Sequence, residues 1–215
     1  MSEHHGVHGS LFWKTGQGGE ALFRAAARAK GWEVTDLPDQ RWDRATGTVS
    51  GILDHLLCYL APSGNGWFGA LLASGYARTL GLIDADTVAY ELSRRGAGPV
   101  ILFSMVQDAW GYEVAANGTC VDRFWSQPPD TPEQRPNPGG NVGAVAAAFG
   151  VPSETIAPYI RQIGWDEAPG RAFPDDEYAL TNNWVHVDFM RRLGIRYPSP
   201  NTGVGRYVHV AEPSA

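Results

Sequence analysis

The sequence predicts an α+β protein: a mostly antiparallel, twisted sheet of about five strands with helices packed on one face. Three observations predict it. Asn117-Gly118 lies between two β-rich runs, residues 110–116 and 119–125, and Asn-Gly favours the type I′ hairpin turn because both central residues need φ > 0. Residues 99–105 (PVILFSM) form the continuous apolar run of a strand covered on both sides. Ala-rich or amphipathic stretches ending in Gly31, Gly96 and Gly194 read as helices closed by glycine.

Taken in chain order, residues 1–10 (MSEHHGVHGS) read as a flexible tail, and 11–215 as a single α+β domain. A Gly-rich turn at 15–19 leads into a helix over 20–30, and 32–35 give a short strand. The apolar run 48–61, the turn Pro62-Ser63-Gly64-Asn65-Gly66 and the apolar run 67–74 read as strand, turn, strand, with a helix over 51–60 as the competing reading. Asp84 or Asp86 caps a helix over 87–95. Beyond the hairpin, the Pro-rich polar stretch 127–140 is a surface loop long enough for a functional flap. Asn141 caps a helix to Phe149, residues 153–163 form another, and Asp175 caps a longer helix reaching Leu193. Leu180, Trp184, Val187 and Met190 give that last helix one apolar face. Residues 206–210 alternate as an edge strand.

The net charge is -6 and no block of Lys or Arg occurs, which argues against general nucleic-acid binding. Two cysteines, Cys58 and Cys120, without metal-type spacing read as free thiols in a reducing cytoplasm. No stretch of about 18 apolar residues marks a membrane span. Eight Trp, eight Tyr and eight Phe supply enough aromatic area to anchor either a core or a pocket.

Asn65-Gly66-Trp67 follow a strand, Leu92-Ser93 lie in a helix, and Phe103 leads to Asp108 and Tyr112. Gly118, Val121-Asp122, Ser126, Pro128, Gly139-Gly140 and Phe149-Gly150 come next. In these features residues 62–150 resemble a loosely defined family of bacterial proteins with no established activity. The resemblance implies a bacterial origin and this architecture, and it assigns no chemistry. Gln107-Asp108-Ala109-Trp110 stand where those proteins usually carry a His-Asp-Ser-Asp run.

The hairpin supplies the candidate site. A two-residue turn at 117–118 with regular pairing sets Val114 opposite Val121, Glu113 opposite Asp122, Tyr112 opposite Arg123 and Trp110 opposite Trp125. Facing carboxylates about 5 Å apart repel, so they want a role: holding a divalent cation, sharing a proton, or clamping a cation. A solvated pair with no role is the plainer alternative. Asp108, Glu113 and Asp122 are the candidate acid–base residues, beside Trp110, Tyr112, Arg123 and Trp125 as binding residues. Those four form either ordinary core with Arg123 reaching to water, or an exposed partner surface of hot-spot residue types.

His4, with the chain start at Ser2, can wrap Cu(II) or Ni(II), although such tails are seldom ordered. His55 and His186 read as structural histidines, and Cys58 and Cys120 as inert thiols. No cofactor is called for.

The residues favour a non-enzymatic binding or regulatory protein, of an immunity-like kind, that recognises another protein. Its acidic surface suits a basic partner. The alternatives are a small-molecule lyase, isomerase or hydrolase using the carboxylate cluster, and a divalent-metal binder.

Overall fold

The computed structural model describes residues 8–15, 18–37, 42–43, 48–49, 56–73, 87–96, 98–106, 109–126, 140–164, 166–198 and 205–211. Its centre is one eight-stranded sheet, antiparallel at every pairing, in the order β2-β10-β5-β6-β1-β7-β8-β9. The strands are β1 (His8–Lys14), β2 (Glu33–Asp36), β5 (Leu56–Pro62), β6 (Trp67–Ala73), β7 (Val100–Val106), β8 (Ala109–Ala116), β9 (Thr119–Trp125) and β10 (Arg206–Ala211). A separate two-stranded ladder joins β3 (Trp42–Asp43) to β4 (Thr48–Val49). The helices are α1 (Gly19–Ala29), α2 (Val88–Arg95), α3 (Val142–Phe149) and α4 (Val185–Arg192), with 3₁₀ turns at Ser153–Thr155 and Ala157–Tyr159.

The α+β class and the antiparallel sheet stand, but the sheet has eight strands rather than about five, and helices cover both of its faces. Side chains alternate along each strand, so every central strand feeds two cores. Leu11, Trp13, Val100, Leu102 and Ala115 pack with α1 and α2 on what we term the front face. Phe12, Ile101, Phe103, Trp110, Tyr112 and Val114 pack with α3, the 3₁₀ turns and α4 on the back face. That explains the run in β7, apolar but for buried Ser104: neither face meets water. Phe189 of α4 is the hub of the back core, its ring centroid 5.6 Å from those of Trp110 and Tyr112 and 5.7 Å from Tyr159.

Local chemistry sets several boundaries. The side chain of Asn141 accepts from the Ala144 amide at 3.0 Å and starts α3. Gly150, at φ 68°, ends it. At the hairpin tip Asn117 and Gly118 have φ 52° and 76°, as a type I′ turn requires.

Other expectations change. β1 begins at His8, inside the stretch expected as a tail. The competing helix over 51–60 gives way to β5 from Leu56. Residues 153–163 contain 3₁₀ turns in place of a helix, and α4 starts at Val185, ten residues beyond Asp175. β10 is not an edge strand: it lies between β2 and β5. No helix among the described residues is long and apolar enough to cross a membrane.

Candidate functional site

The hairpin register decides the site. Ala116 pairs with Thr119 and Ala115 with Cys120, but Val114 then pairs with Asp122, leaving Val121 as a bulge. From there Glu113 faces Arg123, Tyr112 faces Phe124 and Gly111 faces Trp125. The expected Glu113–Asp122, Tyr112–Arg123 and Trp110–Trp125 pairs are therefore not formed. One extra residue moves each remaining β9 side chain to the opposite face from the one expected.

Glu113 points to the front. Its side chain is 4 % exposed and accepts from the Tyr90 hydroxyl of α2. Arg123, 50 % exposed, donates from Nε to Glu113 Oε2 at 2.8 Å and from an Nη to the Tyr90 hydroxyl at 3.3 Å. Burial and the neighbouring Glu113 push the Tyr90 hydroxyl well above the ordinary tyrosine range. Desolvation opposes the charge on Arg123, and the bonds to Glu113 and Tyr90 outweigh it. Cys120, exposed on the same face, has its thiol pKa raised, first by burial.

Asp122 points to the back. It accepts from the Tyr112 hydroxyl at 2.8 Å, from the Asn141 amide at 3.0 Å and from the Gly140 amide at 3.3 Å. The carboxylate therefore pins the start of α3 to the edge of the sheet. Burial, then the charge of Asp122, pushes the Tyr112 hydroxyl up.

The four binding candidates divide in the same way. Trp110 and Tyr112, each 2 % exposed, belong to the back core. Arg123 and Trp125 lie on the front, where Trp125 covers Gly111 so closely that a Cβ there would sit 2.0 Å from its ring. They form no continuous aromatic surface. Asp108 lies outside the described residues, as do His4, His55 and most of the loop at 127–140. Among the described residues no group of three or more His, Cys, Asp or Glu is placed to hold a metal ion.

The structure adds a second polar centre that sequence reasoning missed. Buried Asp176 accepts from the Tyr159 hydroxyl at 2.6 Å, the Phe173 amide at 2.9 Å, Arg191 at 3.0 Å and Arg192 at 2.6 Å. Asp188 accepts from the Glu177 and Tyr178 amides at 3.0 and 2.8 Å. Desolvation would raise the Asp176 pKa, yet bonds from Tyr159 and Arg192 hold it below the usual carboxylate value. Together these bonds fasten the irregular backbone of 173–178 onto α4. The signal in the sequence was Asp175-Asp176 and Arg191-Arg192, but nothing in their spacing links them.

His186 is fully buried. Its Nδ1 lies 2.7 Å from the Asn183 carbonyl, and its Nε2 has no hydrogen-bond partner among the described residues. Comparison with protein-family models, curated proteins and solved structures gives no match.

Proposed function

We propose that this is a non-enzymatic recognition protein that binds a basic protein partner through the outer layer of its back face. The observation that carries the reading is the composition and anchoring of residues 153–180. Glu154, Asp166, Glu167, Asp175, Asp176 and Glu177 stand there against Arg161 and Arg171. All but Asp176 are exposed, and Asp176 is the buried anchor. Irregular backbone held rigidly by a scaffold is where binding residues concentrate, and a fixed acidic surface steers a basic partner.

The hairpin geometry supports the same reading. The enzyme and metal readings asked Glu113 and Asp122 to act side by side, and the bulge places them on opposite faces, each bonded internally.

The test is affinity purification of the tagged chain from its source cell, followed by reconstitution with the stoichiometric partner. A basic partner whose affinity falls at least about tenfold with Glu154→Lys/Asp166→Lys/Glu177→Lys, but not with Glu33→Lys on β2, supports the reading. A partner without basic character, or one indifferent to the triple change, refutes it.

A further inference from the structure

His186, in the first turn of α4, is a polar group for which the back core makes no provision. Its Nδ1 lies 2.7 Å from the Asn183 carbonyl, and only an N–H bonds to a carbonyl oxygen, so the proton of the neutral ring sits on Nδ1. Nε2 then presents a lone pair, which has no partner among the described residues. The ring neighbours are Phe103 of β7 at 5.7 Å, Trp184 at 5.6 Å and Tyr197 at 6.0 Å between centroids. Of these three only Tyr197 titrates, and burial pushes its hydroxyl up to about 12, so it stays neutral in acid. Among the described residues no charged group faces the ring from β7, from α4 or from the segment after it. The charged side chains of α4 are engaged elsewhere, Asp188 with the Glu177 and Tyr178 amides, Arg191 and Arg192 with Asp176. A proton on Nε2 therefore creates a buried cation, with an unpaired N–H, at the positive end of a helix.

The way out for that charge does not pass through the sheet. Trp184 is 41 % exposed and meets Tyr197 edge-on, 5.8 Å away. Movement of these two rings brings water to the imidazole while Phe103 stays in the back core. His186 also shares its helical turn with Asp188, whose carboxylate holds the Glu177 and Tyr178 amides. We infer that His186 is an acid-operated latch: uptake of a proton on Nε2 frees the first turn of α4 and loosens the outer layer that Asp188 fastens, with the sheet intact. Burial lowers the His186 pKa from 6.5 to about 4 in the closed form, whereas a ring released to water keeps the ordinary value. The closed form is thus fully favoured above about pH 6.5, and that preference fades as the pH falls toward 4. The latch consists of α4 and its immediate neighbours, and it stands whether or not the layer binds a basic partner.

The experiment follows amide exchange of the full chain at pH 7 and pH 5, each rate divided by the intrinsic rate of an unstructured peptide at that pH. The reporters are the amides of Glu177 and Tyr178, bonded to Asp188, and of Val187, bonded to the Trp184 carbonyl. They should exchange through an opening less costly than that of β7 and β8. The equilibrium constant of that opening should grow about twentyfold from pH 7 to pH 5, as ring pKa values of 6.5 open and about 4 closed require. In His186→Gln the growth should shrink to less than about threefold, and His186→Leu replaces that variant if it melts more than about 5 °C lower. Exposed carboxylates titrate mainly below pH 5 and are common to all the proteins compared. Exchange of the reporters in step with β7 and β8 at both pH values, an opening that does not grow at pH 5, or equal growth in the histidine variants overturns the latch.

Discussion

Glu113 and Arg123 face each other across β8 and β9, joined by an Nε–Oε2 hydrogen bond of 2.8 Å, with Asp122 turned to the other side of the sheet. The carboxylate is nearly buried and the guanidinium half exposed, so the two ends of the pair differ in what they cost to lose.

Glu113→Ala should destabilise the protein by about 2 kcal/mol, since it leaves the buried Tyr90 hydroxyl without its acceptor, while half-exposed Arg123 can turn to water. Tyr90→Phe should cost about 1 kcal/mol. Urea unfolding of the two single variants and the double variant should show coupling, because both touch one carboxylate. Strict additivity would contradict the three-way contact.

Deleting Val121 should be tolerated. The bulge residue is the extra one, and its removal leaves Glu113 opposite Arg123 and Val114 opposite Asp122. Only the contact of Val121 with the back core is lost, about 1 kcal/mol. Deleting Cys120 as well would shift every later residue of β9 by one pairing step and turn Arg123 inward. Thermal melting of the two deletions should separate them clearly.

Protonation of His186 gives an acid sensitivity with a definite sign. Burial lowers its pKa from 6.5 to about 4, so the unfolded chain binds a proton that the folded one excludes. The helix N-terminus opposes the same charge. Its neutral form favours folding fully above about pH 6.5, and that contribution fades as pH falls from there toward 4. The total is about 3 kcal/mol. The ring's surroundings are Phe103, Trp184, Tyr197 and the Asn183 carbonyl, with no carboxylate among these contacts. In His186→Gln, ΔG measured at pH 7 and pH 5 should differ less than in the parent protein. An equal difference would assign the acid sensitivity elsewhere.

Asp176→Asn should release the irregular layer without unfolding the sheet. Arg191, Arg192 and Tyr159 all converge on that carboxylate. Amide exchange over residues 164–180 should accelerate by at least about tenfold, with β7 and β8 unchanged. Uniform acceleration across the sheet would show that the network also holds the core.

The two thiols should react in sequence. Cys58 is fully buried, and burial pushes its thiol far above the ordinary range, while Cys120 is exposed. Native protein should take up one equivalent of alkylating agent, and the second only after denaturation.

The hairpin turn, two of the glycine helix ends and the buried character of β7 were legible because each follows from local chemistry: φ > 0 at Asn117 and Gly118, the same at Gly31 and Gly194, and a largely apolar run. The bulge was not, since Val121 suits regular pairing as well as it suits a bulge. Its position follows from Glu113 meeting Tyr90 of α2 and Asp122 meeting the amides that start α3. Those are contacts between segments remote in sequence. The second helical layer was missed for a related reason. Trp110 and Tyr112 alternate with Gly111 and Glu113, which looks like one dry face and one wet one. The wet-looking face is in fact closed by Tyr90 and Trp125. Asp175 reads in the sequence as a helix cap, whereas it and Asp176 receive Arg191 and Arg192 from the far end of α4.

Among the described residues β2 has a single strand neighbour, β10, which also closes onto β5. A segment near the start of the chain therefore waits for residues 206–211 before it has a ladder to join. During synthesis this flank of the sheet stays unfinished until residues 206–211 have left the ribosome, exposing β5 as a temporary edge. A chain cut short before Arg206 would lose two strands, and the β5 edge it leaves open would invite self-association.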